Sequence, residues 1–293
     1  MNFLDALEAE LIRRNDPIVT EYEFYRLGAG VHQADTYGGQ SLGRKPEVWD
    51  IRSSRNAARR LVRPRKALTQ DSDFGPGTWR VLTSTRTGTA EEVACVADPF
   101  CYVSHLSAMQ RYGLTDRSPE ALHLTTPDRT LWSALRAERI AKDYPGQTSS
   151  HPPLLHIRFR ETLRHRRVAV HESRHLARPV EVRGERTRIS PIGRTFVDML
   201  ADPVLCGGIH HVLEIWDHEA SNWLDDIIAA VDQYDVKLVK VRAGYLLSER
   251  LNLADPRIDA WAAFAQRGGS QKLDPDAPYV RTYSERWMIS LNV

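Results

Sequence analysis

Three cysteines in 293 residues, Cys95, Cys101 and Cys206, make an odd count with no Cys-x-x-Cys pair. That argues against a disulfide scaffold and suits a reducing cytosol. No apolar run approaches the roughly 20 residues a membrane span requires. The opening stretch, MNFLDALEAELIRR, is acidic and amphipathic, unlike the basic and apolar start of a secretory signal. A cytoplasmic protein is the expectation. Net charge is only +2, so total charge does not argue for a nucleic-acid partner. Internal repeats and low-complexity tails are also lacking.

What is present is ordinary globular composition, 42% hydrophobic and 27% charged, on a chain long enough for two domains. The charge is uneven: residues 1–199 carry a net +7 and residues 200–293 a net −5. The densest run is Ile51–Lys66, IRSSRNAARRLVRPRK, with seven cations and no acid. Read as a helix, it sets Arg52, Arg55 and Arg59 on one face at spacings of three and four, with Ser53, Asn56 and Arg60 beside them. Ala57, Ala58, Leu61 and Val62 turn the other way, toward a core. Such a face suits phosphates and base edges, although a charge run can equally be a solvated surface.

The neighbourhood favours DNA. Phe3, Leu4, Leu7 and Leu11 predict a first helix, and Thr20 is a fitting N-cap for a second, which Gly28 is expected to stop. Residues 28–50 read as a long loop. After the basic helix come two strand-like pieces around Gly75-Pro76-Gly77. Three helices, the third basic, then a hairpin is the order of a winged helix-turn-helix, in which the third helix enters the major groove. Arg55, Asn56 and Arg59 are the expected base readers, with Ser53 on the same helix. Arg52, Arg60, Arg63, Arg65, Lys66 and Arg80 are the expected phosphate contacts.

The polar stretch STRTGTAEE, residues 84–92, predicts a boundary, giving domains 1–86 and 87–293. The second opens with VACVA as a strand, a helix capped by Ser104, the strand ALHLTT and a helical RTLWSALRAERI, and continues with LLHIRFR, RRVAVHE, PVEVR and RTRIS as strands. A chain of helices from about residue 190 and a last strand, WMISLN, follow. The expected class is α+β: a winged helix followed by a larger mixed domain.

Residues 100–116, FCYVSHLSAMQRYGLTD, resemble the Y-[IV]-S-H-L-S-A-l-x-x-x-G-L-T-D segment of AbiEi-type antitoxins. Residues 189–208, ISPIGRTFVDMLADPVLCGG, are similar to that family's S-x-x-R-T-x-x-D-x-L-x-x-P-x-x-C-G-G stretch. KVRAGYLLSE, KLDP and a terminal strand with Trp287 and Asn292 extend the likeness over about residues 93–293. The resemblance implies a non-enzymatic bacterial antitoxin that binds operator inverted repeats and represses its own operon. It also implies neutralisation of a nucleotidyltransferase-like toxin, directly or indirectly, and a dimer on DNA. No cofactor is expected. The chain departs from the pattern in its long 28–50 segment and in a hairpin ending GTWRVLT, not R-G-x-Y.

Two other motifs compete. HESRH places His171, Glu172 and His175 in the order of a zinc hydrolase, which needs them on a helix. Here they follow RRVAV and precede Pro179, so a strand end is the expectation and a metal-dependent hydrolase the rival. Gly207-Gly208 with Asp217, His218 and Glu219 faintly matches a nucleotidyltransferase signature, but reads better as a turn into a helix. The basic run RFRETLRHRR, residues 158–167, is either a solvated turn or a second anion-binding patch.

Overall fold

In the computed structural model, which describes residues 1–145, 151–158, 160–266 and 271–293, helix α1 (Phe3–Arg14) starts at a reciprocal cap between Asn2 and Asp5. Its stripe of Phe3, Leu4, Leu7 and Leu11 is buried, as the spacing predicts. Strand β1 (Ile18–Thr20) follows, and the Thr20 hydroxyl accepts from the Glu23 N–H to open α2 (Glu21–Gln33). This helix does not stop at Gly28. Gly28 supplies space instead: a Cβ there would lie 1.9 Å from the Trp49 ring. Trp49 stacks on Tyr25, centroids 6.2 Å apart, and donates from Nε1 to the Tyr25 carbonyl at 2.9 Å.

Residues 28–50 are therefore not a free loop. Strands β2 (Thr36–Tyr37) and β3 (Gln40–Ser41) pair across Gly38-Gly39, both at positive φ. Lys45 Nζ donates to the His32 and Ala34 carbonyls at the end of α2. Asp50 then accepts from the Ser53 N–H at 2.7 Å and opens α3 (Ile51–Val62). Strands β4 (Leu68–Gln70) and β5 (Thr78–Val81) form the predicted hairpin, and β1 joins them in an antiparallel sheet of order β1-β5-β4. Phe3, Leu7, Phe24, Leu27, Leu61 and Leu68 share one core between these helices and the sheet. Each such side chain contributes about 1.5–3 kcal/mol by leaving water.

VACVA is helical, not extended. It lies in α4 (Ala90–Ala97), where Thr89 and Glu92 form a capping box that outweighs its strand-like residues. The elements that follow are β6 (Tyr102–Val103), α5 (His105–Arg111), β7 (Leu122–Pro127), α6 (Arg129–Asp143), β8 (Thr162–Leu163), β9 (Arg166–Ser173), β10 (Val180–Glu181) and β11 (Arg188–Ile189). LLHIRFR contains no strand among its described residues.

The chain divides into two units. The first comprises Met1–Tyr102, Thr125–Arg174 and Glu181–Arg188; the second comprises Val103–Leu124, His175–Val180 and Ile189–Val293. This differs from a single division at 86/87. The reason within the first unit is that α6 packs onto α2: Tyr22 and Tyr25 cluster with Trp132, Tyr144 and Leu154. Tyr22 Oη donates to Asp143 at 2.9 Å and Arg139 bridges Glu23 and Asp143.

The second unit continues with α7 (Ile192–Ala201), α8 (Ile209–Glu219), α9 (Leu224–Gln233), α10 (Lys237–Tyr245), α11 (Pro256–Ala260) and the paired β12 (Tyr283–Ser284) and β13 (Ile289–Ser290). Phe196, Trp216, Ile227, Leu247 and Trp287 anchor its core. Two buried cations cap helix ends. Lys240 Nζ donates to the Val231 carbonyl and Arg242 Nη1 to the Leu200 carbonyl, each at 2.6 Å. The protein is thus a mixed α+β structure.

Candidate nucleic-acid interface

Helix α3 buries Ser54, Ala57, Ala58 and Leu61 and exposes Arg52, Arg55, Asn56, Arg59 and Arg60. The i, i+3, i+4, i+7 spacing of its small apolar residues sets this division, and the small side chains let the helix lie close to the core. Trp49, locked on α2, and Asp50, capping α3, fix where the helix begins. Ser53 is half-buried and its Oγ donates to the Val48 carbonyl at 2.8 Å, so it serves the turn before the helix.

The cations differ in what surrounds them. Among the described residues, no carboxylate lies within ion-pair distance of Arg52, Arg59, Arg60, Arg63 or Lys66, and all five are exposed. Arg59 Nη1 donates to Asn56 Oδ1 at 3.4 Å. Arg55 is engaged: its Nε donates to Glu21 Oε1 at 2.5 Å. Arg65 is engaged more fully, by Asp5 at 2.5 Å and Glu8 at 2.9 Å, and is half-buried. Its charge ties the end of α3 to α1 and is neutralised there. Arg80, on the hairpin, is half-exposed and 4.0 Å from Asp71. The cations without a carboxylate at ion-pair distance are therefore Arg52, Arg59 and Arg60 on α3, where Asn56 is also exposed, and Arg63 and Lys66 just beyond it.

The chain matches no protein-family profile and no curated protein. Among solved structures, it is similar to the crystal structure of the RV2827C protein from Mycobacterium tuberculosis, with 15% identity and a TM-score of 0.45 over 98% of this chain and 90% of that one.

The second basic run is not a free patch. Arg158 pairs with Glu172, and Arg166 with Glu91. Arg164 pairs with Asp71 and Asp73, and Arg160 donates to the carbonyls of Asp73 and Phe74. Arg167 alone of these arginines is exposed. Neither a solvated turn nor an anion-binding patch describes this run; its charges mostly meet acids and carbonyls far away in sequence.

HESRH does not adopt the zincin arrangement. His171 and Glu172 lie on strand β9, and Glu172 is held by Arg158. His175 belongs to the second unit, 3.6 Å from Asp235 and packed edge-on against Tyr234. Among the described residues no group of three or more His, Cys, Asp or Glu is gathered as a metal site. Asp217, His218 and Glu219 end helix α8, and Asp217 is bound by Arg250 at 2.6 and 2.7 Å. Gly207, at φ +92°, and Gly208 make the turn before that helix. The three cysteines are free and buried.

The sequence reading missed Glu21 and Asp71, and it placed Arg164 in a basic run without its partner Asp71. Glu21 stood out only as an acid in the first turn of α2. Asp71 was one of several polar residues in a turn.

Proposed function

We propose that this protein is a DNA-binding transcriptional repressor and antitoxin, with a winged helix-turn-helix formed by α1, α2, α3 and the β4–β5 hairpin. The observation that carries the reading is the exposed face of α3 and the turn after it, where Arg52, Arg59 and Arg60 on the helix and Arg63 and Lys66 beyond it stand without an acidic partner among the described residues. Most other arginines of the first unit are neutralised at once by nearby acids. A helix so charged on one face, and buried by alanine and leucine on the other, fits a major groove. The order helix, strand, helix, basic helix, hairpin supports the same module.

In this reading Asn56 and Arg59 approach base edges, Arg55 does so while held by Glu21, and the remaining cations meet phosphates. Two copies bind an inverted repeat in the operator of the protein's own operon, in the cytoplasm. The antitoxin role rests on the resemblance of residues 93–293 to AbiEi-type antitoxins. It assigns neutralisation of a nucleotidyltransferase-like toxin, directly or indirectly, to the later part of the chain.

An electrophoretic shift with the DNA immediately upstream of the coding sequence tests the reading. The full chain is expected to bind it far more tightly than an unrelated duplex, and Arg55→Ala/Arg59→Ala to abolish the preference. Equal binding to both duplexes by the unaltered chain would overturn it.

A further inference from the structure

The turn between β8 and β9 consists of two residues, Arg164 and His165, both at left-handed φ, +51° and +60°. Such turns favour Asn-Gly, because a side chain is disfavoured in this region. Arg-His at these positions is strained, so contacts elsewhere must hold the turn.

Those contacts converge on the loop of the β4–β5 hairpin. The Arg164 backbone N–H donates to Asp73 Oδ2 at 2.9 Å. Its Nη2 donates to Asp71 Oδ2 at 2.7 Å, and its Nη1 to Asp71 Oδ1 at 3.2 Å and to Asp73 Oδ2. Its Nε takes the Gly88 carbonyl at 3.2 Å. The Asp71 side chain is wholly buried, with Arg80 its more distant second cation. Arg160 adds another grip, donating to the Asp73 carbonyl at 2.6 Å and the Phe74 carbonyl at 3.2 Å, with its guanidinium 5.3 Å from the Phe74 ring centroid. Residues 71–74 are thus held by residues 160–164, almost a hundred positions on.

We propose that Arg164 is a positioning residue for DNA binding: it locks the β4–β5 hairpin in the pose that meets the duplex, without touching DNA. This rests on the DNA-binding reading above. Four of the five guanidinium N–H donors of Arg164 are used within the protein and its charge is met by two carboxylates, so it is poorly placed to hold a phosphate as well. The lock also explains an arginine in a turn position that glycine or asparagine fills at less strain.

The test uses the full chain, the upstream duplex and a range of KCl concentrations. Arg164→Lys keeps the charge but loses the fork. Asp71→Asn/Arg164→Gln removes both charges, so that no buried carboxylate is left unpaired. Both variants are expected to bind at least tenfold more weakly at every salt concentration, with the wild-type slope of log K against log salt. Removing a cation that meets a phosphate would instead reduce that slope by about 1. Hydrogen exchange without DNA is expected to quicken at residues 71–80 while α3 and the second unit keep wild-type rates. A reduced slope, wild-type affinity in both variants, or exchange that is unchanged or faster throughout would overturn the proposal. If the unaltered chain does not shift the duplex, the DNA-binding reading fails, and exchange at 71–80 still decides whether the lock exists.

Discussion

Arg55 and Glu21 face each other across α3 and α2, with Arg55 Nε donating to Glu21 Oε1 at 2.5 Å. Glu21 is the first residue of α2, and its own N–H donates to the Gly77 carbonyl at 2.7 Å. One carboxylate therefore stands where α2, α3 and the hairpin loop meet. It fixes the Nε side of the guanidinium and leaves the two Nη groups directed elsewhere. That fork matches the O6 and N7 acceptors of guanine.

If DNA binding holds, Glu21→Gln relaxes base preference at a single position of each half-site. Arg55→Ala removes the preference there, at a cost of about 1–3 kcal/mol. Competition binding with a set of singly substituted operators measures both. Equal effects at every position would instead identify Arg55 as a phosphate contact.

If the protein binds DNA as proposed, the salt dependence of binding separates the cations. Alanine at Arg52, Arg60, Arg63 or Lys66 is expected to lower the slope of log K against log salt by about 0.9 for each phosphate that is no longer neutralised. Arg65→Ala should leave the slope unchanged, since its guanidinium is already paired with Asp5 and Glu8. Titrations at several KCl concentrations distinguish the two groups.

Leu61 is fully buried beneath the basic face. Leu61→Ala is expected to destabilise the first unit by about 2–5 kcal/mol, through reduced burial and the cavity left behind. Urea unfolding followed by the fluorescence of Trp49 and Trp79 reads this out. A loss under about 1 kcal/mol, well below that range, would mean that α3 is not seated as described.

His105 gives the second unit an acid sensitivity. Burial, followed by the charges of His123 and Arg194, holds its imidazole down to about 3. Unfolded, it titrates near 6.5. Between those values the unfolded chain binds the extra proton. The contribution is therefore complete above pH 6.5 and declines as pH falls toward 3, by about 1.4 kcal/mol per pH unit. His105→Asn tolerates the local φ of +49° and removes the titration. Its stability should fall less steeply than that of the wild type as pH drops from about 6.5 to about 4, as measured by urea unfolding. Parallel curves would refute the assignment.

Much of the first unit was legible because its signals are local. The stripe of α1, the Thr20 cap, the two faces of α3 and the Gly75-Pro76-Gly77 hairpin each depend on residues within about one helical turn or one β-turn. Where a local signal was misread, a distant partner or a subtler local one intervened. Gly28 looked like a helix stop until Trp49 occupied the space it leaves. VACVA reads as extended because its residues are apolar in succession, whereas the capping box that makes it helical begins upstream, at Thr89, one residue before the helix.

The sequence by itself determined which side of α3 faces the core and which side carries charge, because a 3.6-residue period needs no partner to be read. Only the tertiary structure decided which of those charges remain available. Arg65 meets Asp5 across 60 positions and Arg164 meets Asp71 across 93. An ion pair depends on separation in space, and nothing in a local window records it. The density of arginine in Ile51–Lys66 was visible at once. That Arg65 is neutralised, that Arg55 is held by Glu21, and that the later basic run grips a hairpin were settled by folding alone.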